Sequence, residues 1–292
     1  MAATAEAGGE LRARGRRRLV ATPGAWLAWG AVAFFGLHVA GVLGSVAVNS
    51  FATSWFDSWL PQGYTTRWYG AAWDEFALGG VLVVTLEVAL SVVLVAVVIG
   101  VPAAYALARR DFPGKRVVTL LFLLPIMLPP ITYGIPLATL LYSVGLAGTL
   151  AGVVVANLVP AVPFVILVMT PFIEQIDRNI ESAARMSGAR THQLFARVLV
   201  PLLLPGILAA SILILVRTLA MFELTFLTAG PDSQTLVVAL YYSVFAAGIR
   251  AGQSVDAMAV IYMLTTLPLL VIALRFVNPT QLVAEVREQP AE

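Results

Sequence analysis

The sequence contains no cysteine, only two histidines and few charges: Asp, Glu, Lys and Arg make up 12% of its 292 residues. Without cysteine there is no disulfide framework, no thiolate nucleophile and no cysteine-ligated metal. His38 and His192 lie far apart and in different contexts, which argues against a His-rich metal site. A water-soluble domain usually carries about a quarter charged residues, so the scarcity of charge itself excludes that class. A phosphate-binding loop is missing as well. The one Gly-Lys pair, Gly114-Lys115, has Arg109 where the motif needs its first glycine and Arg116 where it needs a hydroxyl. No internal repeat and no low-complexity tract stand out.

What the chain has instead is apolar length. Hydrophobic residues make up 60% of it and the mean hydropathy is +0.89. Apolar runs occupy 26–48, 79–107, 117–141, 151–172, 200–221 and 258–274, each near the length that crosses a bilayer as a helix. Lipid offers backbone groups no water, so such runs must be helical. The expectation is an all-α polytopic membrane protein: a six-helix domain over 23–275, a basic tail at 1–22 and a C-terminal tail at 276–292. The first run is longer than the apolar core of a cleavable signal peptide and reads as a retained signal anchor.

Basic residues then orient the spans. Five Arg precede the first run, four basic residues lie in 109–116, four in 178–197 and two after the last run, whereas the alternate loops hold only Arg67 and Arg250. The positive-inside rule puts both termini in the cytoplasm. Prolines at 125, 129, 130, 136, 160 and 163 predict kinks in the third and fourth spans. The outer segment 49–78 is aromatic-rich, with Phe51, Trp55, Phe56, Trp59, Tyr64, Trp68, Tyr69 and Trp73 among its residues, and its default place is the headgroup boundary.

The most informative segment is 174–199, a long polar stretch on the cytoplasmic side. Asp177 or Asn179 can cap a short helix, Glu181 suits its first turn, and Gly188 can end it in a left-handed conformation. Ala183 and Ala184 leave one surface small, as insertion into another protein's groove requires. The alternative is an amphipathic helix lying on headgroups, for which the segment has little apolar area.

Here the sequence resembles the membrane subunits of type I ABC importers. Their cytoplasmic loop reads Glu-Ala-Ala, three residues, Gly, nine residues, Ile-x-Leu-Pro. This chain has Ala183-Ala184, three residues, Gly188, nine residues, then Val198-Leu199-Val200-Pro201. Ser182 stands at the usual Glu position and Glu181 one place earlier, so the acidic contact to the ATPase comes either from Glu181 or from no carboxylate. Asn49-Ser50-Phe51, the stretch from Tyr64 to Tyr69 and the stretch from Phe226 to Pro231 look most like spermidine/putrescine-type permeases.

The resemblance implies a permease half-pathway, a second and different permease subunit, an ABC ATPase dimer and an extracytoplasmic solute-binding protein, in a bacterial inner membrane. It implies no cofactor on this chain, with ATP and Mg bound by the ATPase, and no nucleic-acid partner. The solute on this reading is a polyamine or another small polar molecule; a sugar-type importer is the alternative, and an ion-gradient-driven transporter, which usually shows repeated halves, a weaker one.

Charged groups inside spans face a bundle interior or water, so Glu87, Arg217 and Glu223 are candidates for the translocation pathway, with Asn157 as a hydrogen-bonding neighbour. At helical rise, Glu87 and Arg217 come to similar depths. They are expected either to pair with each other or to face the cavity.

Overall fold

The computed structural model describes residues 23–245 and 251–276. The tails at 1–22 and 277–292, with the N-terminal Arg cluster, lie outside the described residues. The described chain is helical apart from short connections and one isolated bridge between Ala52 and Tyr64.

In chain order the helices are α1 (Pro23–Ser50), α2 (Arg67–Glu75), α3 (Leu78–Arg109), α4 (Lys115–Met127), α5 (Pro130–Ser143), α6 (Leu150–Glu174) and α7 (Arg178–Met186). A single-turn α8 (Thr191–Leu194) and a π-helical stretch, Phe195–Leu199, lead into α9 (Val200–Leu219). Then come α10 (Glu223–Thr228), α11 (Leu236–Phe245) and α12 (Gly252–Phe276). Five helical segments are long and apolar enough to cross a membrane, and α4 with α5 forms a sixth span only as a pair bent by 99°.

That bend corrects the expectation of one continuous third span. Leu128 is extended, with ψ 143°, as a residue before proline tends to be. Pro129 and Pro130 remove two successive backbone donors at the break, so the helix restarts in a new direction. Prolines 160, 163 and 171 inside α6, by contrast, leave that helix unbroken over 25 residues.

The core is built on α3 and α6, with α9 against both. On α3 the buried positions Thr85, Val88, Ala89, Val92 and Ala96 form one stripe, at the three- and four-residue spacing of a helical face. Gly100 lets α6 approach closely: a Cβ there would come within 2.6 Å of the Val165 Cβ. The first span has a different character. Its most apolar stretch is wholly unburied, and α1 packs chiefly along α12, with Asn49 donating to Asp256 at 2.5 Å.

The aromatic outer segment is partly docked. Trp68 and Tyr69 of α2 pack on Leu78, Leu236 and Met258, and Trp68 Nε1 donates to the Ala52 carbonyl at 2.6 Å. Trp59 at the loop tip is 98% exposed. After the fifth span the chain does not simply loop out, as residue order alone implied, but forms α10 and α11. The Gly148 amide donates to Thr228 O at 2.8 Å, and Gly230 sits so close to Gly148 that a Cβ would meet its carbonyl at 2.5 Å. The Leu236 amide that opens α11 finds its acceptor in the Thr85 hydroxyl of α3, 2.8 Å away.

Candidate functional site

The helix of the 174–199 segment, α7, forms where the spacing predicted it. Asp177 is the N-cap, its carboxylate accepting from the Asn179 amide at 2.9 Å, and Glu181 lies in the first turn. Gly188 follows the last turn with φ +81°, its amide donating to Arg185 O, while Ala189 N reaches Ala184 O. The left-handed conformation explains the glycine, since a side chain is strained there. Apart from Gly188 and its two chain neighbours, no atom of the described residues lies within 4 Å of where a Cβ on Gly188 would stand.

The faces of α7 are divided sharply. Ser182, Ala183, Arg185, Met186 and Gly188 are exposed, Met186 at 83%; Ala184 is half-buried against the core and Glu181 is buried. The Glu181 carboxylate therefore points into the protein. One oxygen accepts from Arg109 Nε at 2.7 Å and the other from the Tyr105 hydroxyl at 2.6 Å. Arg109 Nη2 also donates to the Ile176 carbonyl at 2.5 Å. Of the two alternatives for an acidic ATPase contact, this geometry disfavours Glu181, whose two carboxylate oxygens each accept a bond at the end of α3.

Tyr105 and Arg109 were not singled out from sequence. In residue order Arg109 is a charge of the 109–116 cluster and a mismatch to the phosphate-loop motif, and Tyr105 is part of an apolar run. Their partner lies 72 and 76 residues away, and single-sequence patterning carries no signal of that pairing. Pro201 is exposed at the start of α9, directly after the π-helical stretch, which the Val200 amide closes onto Phe195 O.

The candidate pathway residues separate into two groups. Asn157 is buried and satisfied: its side-chain amide donates to Val153 O at 2.9 Å and to the Thr225 hydroxyl at 3.2 Å, tying α6 to α10. Glu87 and Arg217 do not pair, contrary to one of the two expectations. Glu87 shares its stripe of α3 with Val83, Leu90 and Leu94, all exposed, on the side turned away from the buried stripe. Arg217 instead places its guanidinium 5.5 Å from the Phe164 ring centre and makes no ion pair or hydrogen bond among the described residues. Glu223, half-buried at the start of α10, is without one there too, and both lie within electrostatic reach of Tyr133, whose buried hydroxyl has no partner among the described residues. Among the described residues no group of three His, Asp or Glu could hold a metal ion.

Comparison with known proteins agrees with this geometry. Residues 96–280 match the family described as binding-protein-dependent transport system inner membrane component. The trehalose transport system permease of Mycobacterium tuberculosis is 34% identical over 157 residues, covering 54% of this chain and 57% of that protein. The aligned stretch thus spans little more than half of that relative. A probable molybdenum ABC transporter permease of Haloferax volcanii is 35% identical over 192 residues, covering 60% of this chain and 71% of its own. These relatives are named for a sugar and a metal, and they support the family without the polyamine branch.

A bacterial ABC transporter involved in the import of the acidic polysaccharide alginate superposes with a TM-score of 0.73 at 18% identity, over 89% of this chain and 98% of the other. At that identity the likeness establishes the fold. With the membrane-length helices, the short helix at 178–186 and the family match in place, the chain belongs to the binding-protein-dependent transport system inner membrane components, the permease subunits of type I ABC importers.

Proposed function

We propose that this chain forms half of a solute pathway in a bacterial inner membrane, with both termini cytoplasmic, and takes its work from a separate ABC ATPase dimer docked on the exposed side of α7. The observation that carries this is the division of α7: the only acidic residue of the helix is turned inward, while Ala183, Met186 and Gly188 form a small, uncovered surface suited to a groove on another protein. ATP and Mg belong to the ATPase, and this chain contributes no catalytic group.

A second permease subunit is supported by Glu87. A carboxylate nine residues into α3, about 13 Å at helical rise, is costly against lipid, so its exposed stripe faces another protein or the water of the pathway. The partner is a different chain in this proposal, completing a heterodimer, and a solute-binding protein docks outside. Arg217, Glu223 and Tyr133 offer unsatisfied donors and acceptors to a small polar solute. Likeness to the trehalose permease favours a sugar; the stretches resembling polyamine permeases favour a cation.

ATPase activity of the reconstituted complex tests the reading, with binding protein loaded with sugar or polyamine. Gly188→Trp puts a large side chain at φ +81° on the proposed docking surface and is expected to abolish stimulation while the spans remain folded. If the variant assembles and still responds to loaded binding protein, the docking assignment is wrong. Whichever loaded protein stimulates the wild type names the solute class.

A further inference from the structure

The bonds that hold Glu181 do more than fix one helix. Tyr105 and Arg109 both belong to α3, so the coupling helix is bound to the second span as well as being joined by the chain to the fifth. The two connections differ in kind. Toward α9 the chain passes through Gly188 in its left-handed conformation, a single helical turn and a π-helical stretch. Toward α3 the connection is an ion pair at 2.7 Å whose side chains are only 8% and 10% exposed, reinforced by the Tyr105 hydroxyl and by Arg109 on the Ile176 carbonyl. The Tyr105 ring also stands edge-on to Phe195 of the π-helical stretch, 4.7 Å between centres.

We propose that Tyr105 and Arg109 are positioning residues that make α3 move as one body with the coupling helix, so that a displacement delivered to α7 drives the second span along with the fifth. A charge-assisted contact backed by two further hydrogen bonds, from Tyr105 to the carboxylate and from Arg109 to the Ile176 carbonyl, fixes orientation as well as distance, which a hinged chain connection does not. The motion would be carried far. Arg109 and Glu87 are 22 residues apart on one unbroken helix, about 33 Å at helical rise, and α6 is interlocked with α3 at Gly100 and Val165. The moving body would thus include the stripe that bears Glu87.

This rests on the docking role of α7, and the test separates the two. The chain lacks cysteine, so Arg110→Cys with Arg178→Cys, both exposed positions, gives one nitroxide pair across the junction. Distances are measured by pulsed electron resonance in the reconstituted complex with its ATPase and binding protein, without nucleotide and after trapping with ATP and vanadate.

With the junction intact the distance should be the same in both states. In Tyr105→Phe and Arg109→Ala it should differ between them. Binding-protein-stimulated ATP hydrolysis should fall roughly 2- to 30-fold in these variants with the basal rate retained, and Arg109→Lys should recover part of it. Tyr105→Phe keeps the ring and removes only the hydroxyl, which guards against simple misfolding.

A distance that changes as much in the intact chain as in the variants overturns the proposal. So does a loss of basal and stimulated rates in equal proportion, or undiminished stimulation in assembled variants. If Gly188→Trp measured alongside also leaves stimulation intact, the docking role itself has failed; if only Gly188→Trp abolishes it, the α3 junction alone is wrong.

Discussion

The two ends of α3 treat charge in opposite ways. At the Arg109 end the guanidinium donates to the Glu181 carboxylate and the Ile176 carbonyl, the same carboxylate accepts from the Tyr105 hydroxyl, and the buried charge there is met inside one chain. Toward the outer end Glu87 stands exposed, and in the same half of the molecule Arg217, Glu223 and the Tyr133 hydroxyl make no ion pair or hydrogen bond among the described residues. Groups that a chain satisfies alone hold it together. Groups it leaves bare inside a membrane are costly unless something else completes them, and in a permease that is a second subunit, water or the solute.

Four substitutions test this contrast. Removing the acid of the cytoplasmic cluster, Glu181→Ala, leaves Arg109 buried without its counter-charge. The chain should lose about 3–5 kcal/mol, read as an earlier transition when the purified protein is unfolded by SDS in mixed micelles. A loss under about 1 kcal/mol, the range of exposed pairs, would mean that this end is no better satisfied than the other.

Asn157→Ala removes the one bonded candidate in the membrane interior. Interhelical hydrogen bonds in membranes average about 0.6 kcal/mol, and a shift of that size in the same titration is expected. Lys115 and Asp111, an i,i+4 pair at 3.2 Å whose carboxylate is 94% exposed, lie on the cytoplasmic side without burial. Asp111→Ala should change stability by no more than about 0.5 kcal/mol, which shows that burial rather than location makes the Glu181 cluster matter.

Arg217→Gln should have the smallest effect on the isolated chain, near zero, because no ionic partner is lost. Solute uptake by the assembled transporter should nevertheless fall. Normal uptake in proteoliposomes would show that the bare guanidinium serves neither solute nor subunit contact.

Much of the architecture is legible in residue order, and the reasons are physical. Apolar length and the asymmetry of basic residues depend only on local composition, so the spans and their charge bias can be read directly along the chain. The Ala-Ala and Gly188 spacing is local too, and the cap at Asp177 follows from side-chain reach. The break at 128–130 has a local signal too, since two adjacent prolines remove two donors where isolated ones leave a helix unbroken, as in α6.

What stayed hidden depends on rotation and on distance along the chain. Glu87 and Arg217 come to similar depths, yet the helical phase of Glu87 puts it with Val83 and Leu90 on the exposed side. Glu181 reads as an exposed contact until Tyr105 and Arg109 arrive from a helix more than seventy residues earlier. The phase of α7 offered one clue, because Glu181 and Ala184 lie three apart and share its inward side.

The bare first span has a consequence in time. Besides the Ser50–Tyr69 hydroxyl bond, one contact at this end of α1 joins Asn49 to Asp256, 207 residues later, a stretch that takes roughly 10–40 s to synthesise. Throughout that interval α1 is already in the bilayer while α12, along which it chiefly packs, does not yet exist. The first of the described helices is thus among the last of them to find its main neighbour, and until then most of its length persists as an apolar rod, which an unburied 28-residue helix without Asp, Glu, Lys or Arg is well suited to do.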